Sequence, residues 1–461
     1  MITTKIIRYV SSLIGLLCIS VCSIAQTTKT QSTKEAYIPT SIWRVPEGND
    51  YNNPESEYSN ARRLESDNIV LFWSKEYGPN PMDNQEETKR FDPKMVLATC
   101  EEFYRFYAND LKFVSVGNSL SDTYKLLMFV FGGGDGTAYG GGAEDKIGVM
   151  WTPAARIHKT PYGALAHEMG HSFQYLAKCD GNWAYSSPIE GSRGNSIFEM
   201  TSQYMLWQVY PEWITFENYH LKAFLGKTHY AFLHETNQYH APFVLEYWAT
   251  KHGIDFIGKM WRNAIKGEDP VRTYQRLSNI SQTAFNDELF DAYRRFVTWD
   301  MPRIEKVSAP YANQHYTNLD SISGQRWRIA ASHVPQNYGY NAIPLAVPQG
   351  ENNLVKLQFA GMTTYNNVTV PQPENSGWRY GFIAVSKEGK RTYGETYHNP
   401  QGQASFNVPQ NTEFLWLVVM GAPREHHVHL IDGKEETKER WPYEIELMNT
   451  KVLAKTTGET K

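Results

Sequence analysis

Residues 161–178 read PYGALAHEMGHSFQYLAK, and the helix that they predict decides the fold of this chain. Thr160 is the predicted N-cap, Pro161 is the first helical residue, and Asp180 with Gly181 ends the helix. Apolar residues three to four positions apart give the helix a core face, formed by Leu165, Met169, Phe173 and Leu176. The polar motif inside this stretch therefore lies in the middle of a capped amphipathic helix.

His167-Glu168-Met-Gly-His171 is an HExxH motif with the ligand spacing of a zinc site. Histidines at i and i+4 project from one helix face, so both imidazoles can reach one Zn²⁺ at about 2.0–2.1 Å. Glu168 lies beside them, where it can take a proton from the metal-bound water. Zinc lowers the pKa of that water toward about 7, so hydroxide is available at neutral pH. An ordinary amphipathic helix that carries two histidines is the alternative interpretation.

A tetrahedral catalytic site needs a third protein ligand. The metzincin extension Gly-x-x-His does not follow, so a downstream carboxylate is required. Glu190 comes 19 residues after His171, in loop-like Gly-Ser-Arg-Gly surroundings, and Glu199 comes 28 residues after it, in the first turn of a predicted helix capped by Ser196. Rigid helices hold ligands better than loops, which favours Glu199 over Glu190. A solvated surface glutamate is the alternative for either.

Further polar residues are candidates for supporting roles. Ser202 and Gln203 share a helix face with Glu199 and could orient a ligand imidazole. Tyr239 and His240, just before another predicted helix, are candidate donors to the oxyanion of peptide hydrolysis, although a capped aromatic helix start explains them equally well. His158 and His234 are further donor candidates without an assigned role. His426, His427 and His429 resemble a metal cluster but are interpreted as surface residues, because the motif is weak.

The chain before this helix predicts export and then a folded domain. Lys5 and Arg8, followed by an apolar run that ends at Ala25, predict a signal peptide over residues 1–25. Residues 26–65 are polar, and we expect a partly disordered leader with a strand around residues 41–45. Strands are predicted from residue 68, over residues 125–131 and over residues 147–151.

Glycines at residues 132–142 separate the last two of these strands. No Gly-Lys-Ser/Thr follows them, so we interpret this segment as a hairpin connection whose backbone must come close to something, rather than as a phosphate loop.

The predicted secondary structure after the HExxH helix changes from helical to β-rich near residue 301. Helices are predicted over residues 197–208, 220–233, 242–252, 255–264 and 283–300. Short β-rich segments between turns then predict a β-sandwich over residues 306–455. The mature chain keeps two cysteines, Cys100 and Cys179, whose pairing the sequence leaves open. The net charge of −4 argues against nucleic acid as a partner.

Two patterns in this chain resemble known proteins. The first is HE-x-GH-x-FQ at residues 167–174, and the second is aromatic-Glu-x-x-Ser-x-aromatic at residues 198–204. They resemble an uncharacterised family of exported bacterial HExxH proteins of gluzincin type and, more remotely, the enhancin-like, mucin-directed zinc metallopeptidases. The resemblance covers residues 66–300. It implies His167, His171 and Glu199 as zinc ligands, Glu168 as the base, and residues 147–151 as the sheet edge that pairs with an extended peptide.

These observations together predict an α+β protein, with a gluzincin-like zinc metallopeptidase domain over residues 66–305 and an all-β sandwich after it. The expected cofactor is Zn²⁺, and the expected reaction is hydrolysis of protein substrates, with glycoproteins suggested by the remote resemblance alone. The expected location is periplasmic, cell-surface or secreted, without a transmembrane span after signal cleavage. Trp378, Tyr380 and Trp416 could stack on glycans, although core packing explains them equally well.

Two other classes of function remain open from the sequence. One is a non-catalytic surface protein that binds glycans or proteins and keeps the fold. The other is a zinc hydrolase that acts on a different amide or ester. The presence of Glu168 argues against a non-catalytic surface protein, because a site that no longer catalyses hydrolysis does not need the base. The glycine-rich edge favours an extended substrate over the second.

Overall fold

A computed structural model describes residues 34–182, 184–185, 189–212, 217–365 and 368–453. The predicted signal peptide and the first residues of the polar leader lie outside the described residues. Within the described ranges, no helix combines the length and the apolar character needed to cross a membrane.

The N-terminal half is organised around a mixed five-stranded sheet in the order β1-β2-β3-β5-β4. Its strands are β1 (Arg63–Glu65), β2 (Ile69–Trp73), β3 (Leu126–Phe131), β4 (Tyr139–Ala143) and β5 (Ile147–Pro153). The three central strands are parallel, and β1 and β4 run antiparallel at the two edges. Every residue of β2 and β3 is buried, as expected for parallel strands that are covered on both faces.

The two faces of this sheet belong to different cores. Side chains alternate along a strand, so Ile69 and Leu71 face the helices α1 (Pro93–Asn109) and α2 (Gly163–Cys179), whereas Val70 and Phe72 face the opposite way. On that opposite face they meet apolar residues of the segment before β1, of which Ile42 and Tyr58 are the most buried.

The strand predicted around residues 41–45 is wrong, because the chain turns there instead. Arg44 has a φ of 61°, in the left-handed region that an extended strand does not use. Its guanidinium lies 4.2 Å from the ring centre of Phe131 and pairs with Asp135. These tertiary contacts hold the turn.

The helical region follows the predicted order with differences at the ends. Helix α2 begins at Gly163, not at Pro161, because Tyr162 is still outside helical geometry. The other described α-helices are α3 (Ile197–Val209), α4 (Asn218–Leu225), α5 (Phe243–His252), α6 (Phe256–Asn263), α7 (Pro270–Ser278), α8 (Gln282–Phe296) and the short α9 (Glu305–Ser308). Helix α4 ends at Leu225, well before the predicted end at residue 233. Helix α7 was missed, although Asp269 caps it and Pro270 opens it.

The C-terminal part contains two antiparallel sheets, so the prediction of mixed α and β structure with a β-rich C-terminal region is confirmed. One has the order β13-β12-β15-β8 and the other β14-β9-β16-β7-β6. The strands are β6 (Leu319–Ser323), β7 (Arg326–Ile329), β8 (Tyr340–Leu345), β9 (Leu354–Gly361), β12 (Trp378–Ser386), β13 (Arg391–Tyr393), β14 (Gln401–Asn407), β15 (Thr412–Gly421) and β16 (Tyr443–Met448). A short hairpin, β10 (Thr364–Tyr365) with β11 (Val368–Thr369), lies beside them in sequence.

The sheet that contains β12 and β15 is buried on both faces. Alternate residues such as Phe382 and Leu417 join the core between the two sheets, whereas Ile383 and Val418 join the helical core. The described residues therefore pack as one compact unit. Of the three aromatic residues considered for glycan stacking, Trp378 and Tyr380 lie in the core between the sheets and Trp416 lies in the helical core, none more than 3% exposed. Core packing, not glycan stacking, is therefore their role.

Candidate metal centre and cleft

Close packing of α2 against α3 brings the predicted ligands together. A Cβ atom on Gly170 would lie 2.8 Å from Ser202 Oγ and 3.0 Å from Ser202 Cα, so only glycine permits this approach. Glu199 lies in the first turn of α3 and faces the two histidines of α2.

Three predicted ligand atoms form a nearly equilateral triangle. His167 Nε2 lies 3.1 Å from Glu199 Oε2 and 3.1 Å from His171 Nε2, and the third side, His171 Nε2 to Glu199 Oε2, is 3.3 Å. Tetrahedral bonds of about 2.0–2.1 Å hold neighbouring ligand atoms about 3.3 Å apart. The triangle therefore has the dimensions of one face of a zinc tetrahedron.

A hydrogen bond behind His171 favours a lone pair on its inward nitrogen. His171 Nδ1 lies 3.0 Å from Gln174 Oε1, an acceptor, so the ring proton belongs on Nδ1. Gln174 Nε2 in turn donates to Phe198 O and Ser202 Oγ, which fixes the amide orientation. The other predicted supporting residue, Gln203, has its side-chain oxygen buried without a hydrogen-bond partner among the described residues.

The His171 Nε2 lone pair then faces His167 Nε2 and the Glu199 carboxylate. Such a set of acceptor atoms needs a proton or a cation among them, and two nitrogens with one oxygen suit zinc. The residues present therefore fit a zinc ion.

Burial shapes the electrostatics of the same cluster. It raises the pKa of Glu168 to about 7 and lowers the pKa of His167. Burial alone would raise the pKa of Glu199, but the hydrogen bonds and charges of His167 and His171 together hold that pKa well below its usual value. Burial alone would lower the pKa of His171, but the hydrogen bond with Glu199 and the charges of Glu199 and Glu168 together raise it.

The cluster opens into a cleft of about 650 Å³. Besides the cluster itself, its walls are Thr137, Ala138, Tyr139, Gly140, Tyr185, Gly194, Asn195, Phe198, Gln238 and Tyr239.

One long wall of the cleft comes from the glycine-rich strand β4. A Cβ atom on Gly140 would lie 2.0 Å from Glu168 O, which confirms that the glycine backbone approaches another part of the chain. The prediction that residues 147–151 form the sheet edge is wrong: β5 lies between β3 and β4, and β4 is the edge.

Tyr239 is brought to the cluster, whereas His240 turns away from it. The Tyr239 ring stacks on His167 with ring centres 6.3 Å apart. Burial, and to a lesser extent the charge of the nearby Glu199 carboxylate, raises the pKa of the Tyr239 phenol. His240 Nδ1 lies 2.8 Å from His220 Nδ1 and is not among the described residues that line the cleft. Of the two oxyanion-donor candidates, the geometry therefore favours Tyr239.

The remaining candidates lie outside the cluster. Glu190 is exposed in the loop before α3, and His158 bonds to Ala155 O in a turn. The interpretation of the three C-terminal histidines as surface residues is wrong for His426 and His429, whose side chains are 5% and 12% exposed, and holds for His427. The loop that carries them packs against the helical region. Neither Cys100 nor Cys179 forms a disulfide.

Gln174 positions the His171 ring, a role that the residue pattern did not predict. Its only signal was its place in the HE-x-GH-x-FQ pattern, three residues after His171, on the same face of the helix.

Fold and site together define a mixed α/β protein with a histidine–glutamate cluster in an open cleft. The chain belongs to the family described as "Family of unknown function (DUF6055)", whose profile matches residues 28–454. No curated protein matches the chain.

Three solved structures show a weak likeness. A functionally unknown conserved protein from Bacillus anthracis str. Ames has 11% identity and a TM-score of 0.32, over 77% of this chain and 73% of that one. The Yersinia pseudotuberculosis-derived mitogen has 8% identity and a TM-score of 0.17, over 32% and 93%. Accessory secretory protein 1,2 and 3 of Streptococcus pneumoniae has 10% identity and a TM-score of 0.17, over 31% and 88%. Likenesses this low carry no argument about fold or function.

Proposed function

We propose that this protein is an exported zinc-dependent metallopeptidase of gluzincin type. The observation that carries the proposal is the triangle of His167 Nε2, His171 Nε2 and Glu199 Oε2, with sides of 3.1–3.3 Å. Such a triangle leaves the fourth tetrahedral position open toward the cleft, as catalytic zinc sites require.

Each residue near the triangle has a distinct task in this proposal. Zinc, when bound, supplies a Lewis acid that lowers the pKa of water toward about 7. Glu168 accepts the proton of the attacking water and passes it to the leaving amine. Tyr239 donates a hydrogen bond to the oxyanion that develops on the scissile carbonyl. Gln174 keeps the His171 ring in the tautomer that presents a lone pair to the cleft.

The geometry of β4 supports an extended peptide as substrate. In the described sheet β4 pairs only with β5, so no other strand occupies its outer edge beside the cluster. Gly140 and Gly142 let this edge lie directly against α2, because a Cβ on either would lie 2.0 Å from an atom of Glu168 or Tyr175. A peptide that adds to this edge would present its backbone carbonyls to the cluster.

Bound zinc per chain is the first measurement. Elemental analysis of the purified mature protein should give about one tightly held zinc, which Glu199→Gln loses and the matched variant Glu190→Gln keeps. A wild type without zinc, even after zinc has been supplied, would overturn the proposal. Retention of zinc in Glu199→Gln would overturn the ligand assignment.

Hydrolysis is tested separately from zinc binding. Zinc-loaded protein is incubated with a mixture of denatured proteins and mucin glycoproteins, and new peptide termini are read by mass spectrometry. Glu168→Gln should keep zinc and abolish cleavage, because only the base is removed. Zinc-loaded wild type that yields no new termini from either substrate class would contradict peptide hydrolysis and favour a binding protein.

A further inference from the structure

A second group of metal-ligating side chains lies away from the cleft. His234 and Glu235 belong to the segment that leads from α4 toward Tyr239, and His429 belongs to the loop of residues 422–442 between β15 and β16. One ligand atom from each of the three lies within 4.8 Å of the other two. The side chains of His234 and His429 are only 2% and 12% exposed.

The Glu235 carboxylate lies between the two imidazoles at the distances that ligands of one ion have. Glu235 Oε2 lies 3.5 Å from His234 Nδ1 and 3.4 Å from His429 Nε2. The second contact is a long hydrogen bond, because good N–H···O bonds are about 2.7–3.2 Å long. A cation with bonds of about 2.0–2.2 Å holds its ligand atoms about 3.3 Å apart.

The far side of His234 is arranged as it is behind many metal ligands. His234 Nε2 lies 2.7 Å from Glu435 Oε1, so this nitrogen carries the proton and donates it to the carboxylate. The lone pair therefore lies on Nδ1, the nitrogen that faces Glu235. The Thr236 amide and hydroxyl now lie 3.1 and 3.0 Å from Nδ1 and donate to that lone pair, so a cation must displace both. The affinity is for that reason lower than at the cleft.

We propose that His234, Glu235 and His429 hold a second divalent ion of the zinc type. Two imidazoles and a carboxylate favour zinc over calcium or magnesium.

The consequence is a clasp between the 422–442 loop and the segment that carries Tyr239. The same loop also meets the residue that precedes Gly194 and Asn195 of the cleft lining, where Arg193 N donates to Ile431 O at 2.7 Å. An ion at the clasp would therefore help to hold two segments that line the cleft to one loop of the C-terminal region. The clasp does not depend on what the cleft does.

Zinc binding at buffered free-zinc concentrations tests the proposal. Equilibrium dialysis of the full chain should show two zinc ions per chain, the second bound more weakly. Glu235→Gln, which keeps the size of the side chain, and His429→Gln should each lose the weaker ion and keep the tighter one. Glu199→Gln should lose only the tighter ion. The control His398→Gln, on an exposed loop, should keep both.

These variants separate the clasp from the cleft site. Circular dichroism in the near ultraviolet checks that Glu235→Gln and His429→Gln are folded like the wild type. A wild type that saturates at one zinc which Glu235→Gln keeps, or a folded Glu235→Gln that still binds two, would overturn the clasp. A wild type that binds a single zinc which Glu235→Gln loses and Glu199→Gln keeps would support the clasp and overturn the proposed peptidase centre instead.

Discussion

Adjacent glycines in β4 should respond to alanine with opposite signs. A Cβ atom on Gly140 would lie 2.0 Å from Glu168 O and 2.9 Å from His171 Cβ. Ordinary contact begins at 3.4 Å, so the clash with the carbonyl oxygen is about 1.4 Å deep. The opposing atoms belong to the backbone and the Cβ of a buried helix and cannot rotate away. On Gly141, by contrast, a Cβ would meet only Trp151, at 4.0 Å.

The expected magnitudes follow from these contacts. Overpacking of a rigid site costs about 1–3 kcal/mol, and we expect Gly140→Ala to lie at the upper end because either β4 or α2 must move. Gly141→Ala fits without strain and restricts the unfolded chain, so it should stabilise the protein by about 0.4–1 kcal/mol. Gly140→Ala should also reduce peptide hydrolysis, because Gly140 lines the cleft beside Glu168.

Urea unfolding of the metal-free protein measures both effects. Far-ultraviolet circular dichroism reports the midpoint, and the slope checks that the two variants unfold over the same surface. The reasoning is refuted if Gly140→Ala is as stable as wild type, or if both variants shift the midpoint in the same direction by similar amounts.

Three further predictions concern the cleft and the buried histidines. Tyr239→Phe should keep zinc but lower kcat/KM by about 10²–10³-fold, since it removes one oxyanion donor; loss of zinc, or unchanged hydrolysis, would contradict this role. Gly170→Ala should push α3 away through Ser202, a hydrogen-bond partner of His171, and weaken zinc binding by about 10–100-fold in a zinc titration, and unchanged affinity would count against it. Burial lowers the pKa of His315 from 6.5 to about 3, so the unfolded chain binds a proton that the folded chain does not, and stability falls as the pH drops below 6.5. Between pH 7 and 5 this group lowers the free energy of unfolding of the wild type by about 2 kcal/mol. In urea unfolding of metal-free protein, His315→Asn should therefore lose about 2 kcal/mol less stability over this interval than the wild type. Equal losses in the two proteins would refute this prediction.

Local geometry explains why the centre of the site could be predicted from the sequence. The i, i+4 spacing of His167 and His171 is a property of any α-helix, so the shared face needed no tertiary information. Glu199 was preferred over Glu190 because it was predicted to lie on a helix and Glu190 in a loop. The structure brings Glu199, not Glu190, to the histidines. The helical period is a local signal and is kept on folding, whereas the predicted N-caps of α2 and α3 are not: α2 begins after Tyr162 rather than Thr160, and the Ser196 side chain makes no capping hydrogen bond.

Order across a sheet is not encoded in this local way. The glycines of β4 predicted a close approach but not the partner, and the family resemblance pointed to β5 as the edge, which β4 occupies instead. The order of the strands depends on which sheet faces the helices cover. At position 140 only glycine fits against Glu168 O. Contacts between distant segments likewise decided the turn at Arg44, because Phe131 and Asp135 lie far along the chain.

Residue spacing within single segments was enough to predict the HExxH helix, most of the other helices and the three candidate ligands. Long-range packing fixes which strand borders the cleft, that Tyr239 faces it while His240 does not, and that His429 meets His234 and Glu235. Such pairings are set by the packing of segments up to about two hundred residues apart in the chain. Their free energy comes from burial shared between those segments, and no pattern within either segment specifies the partner.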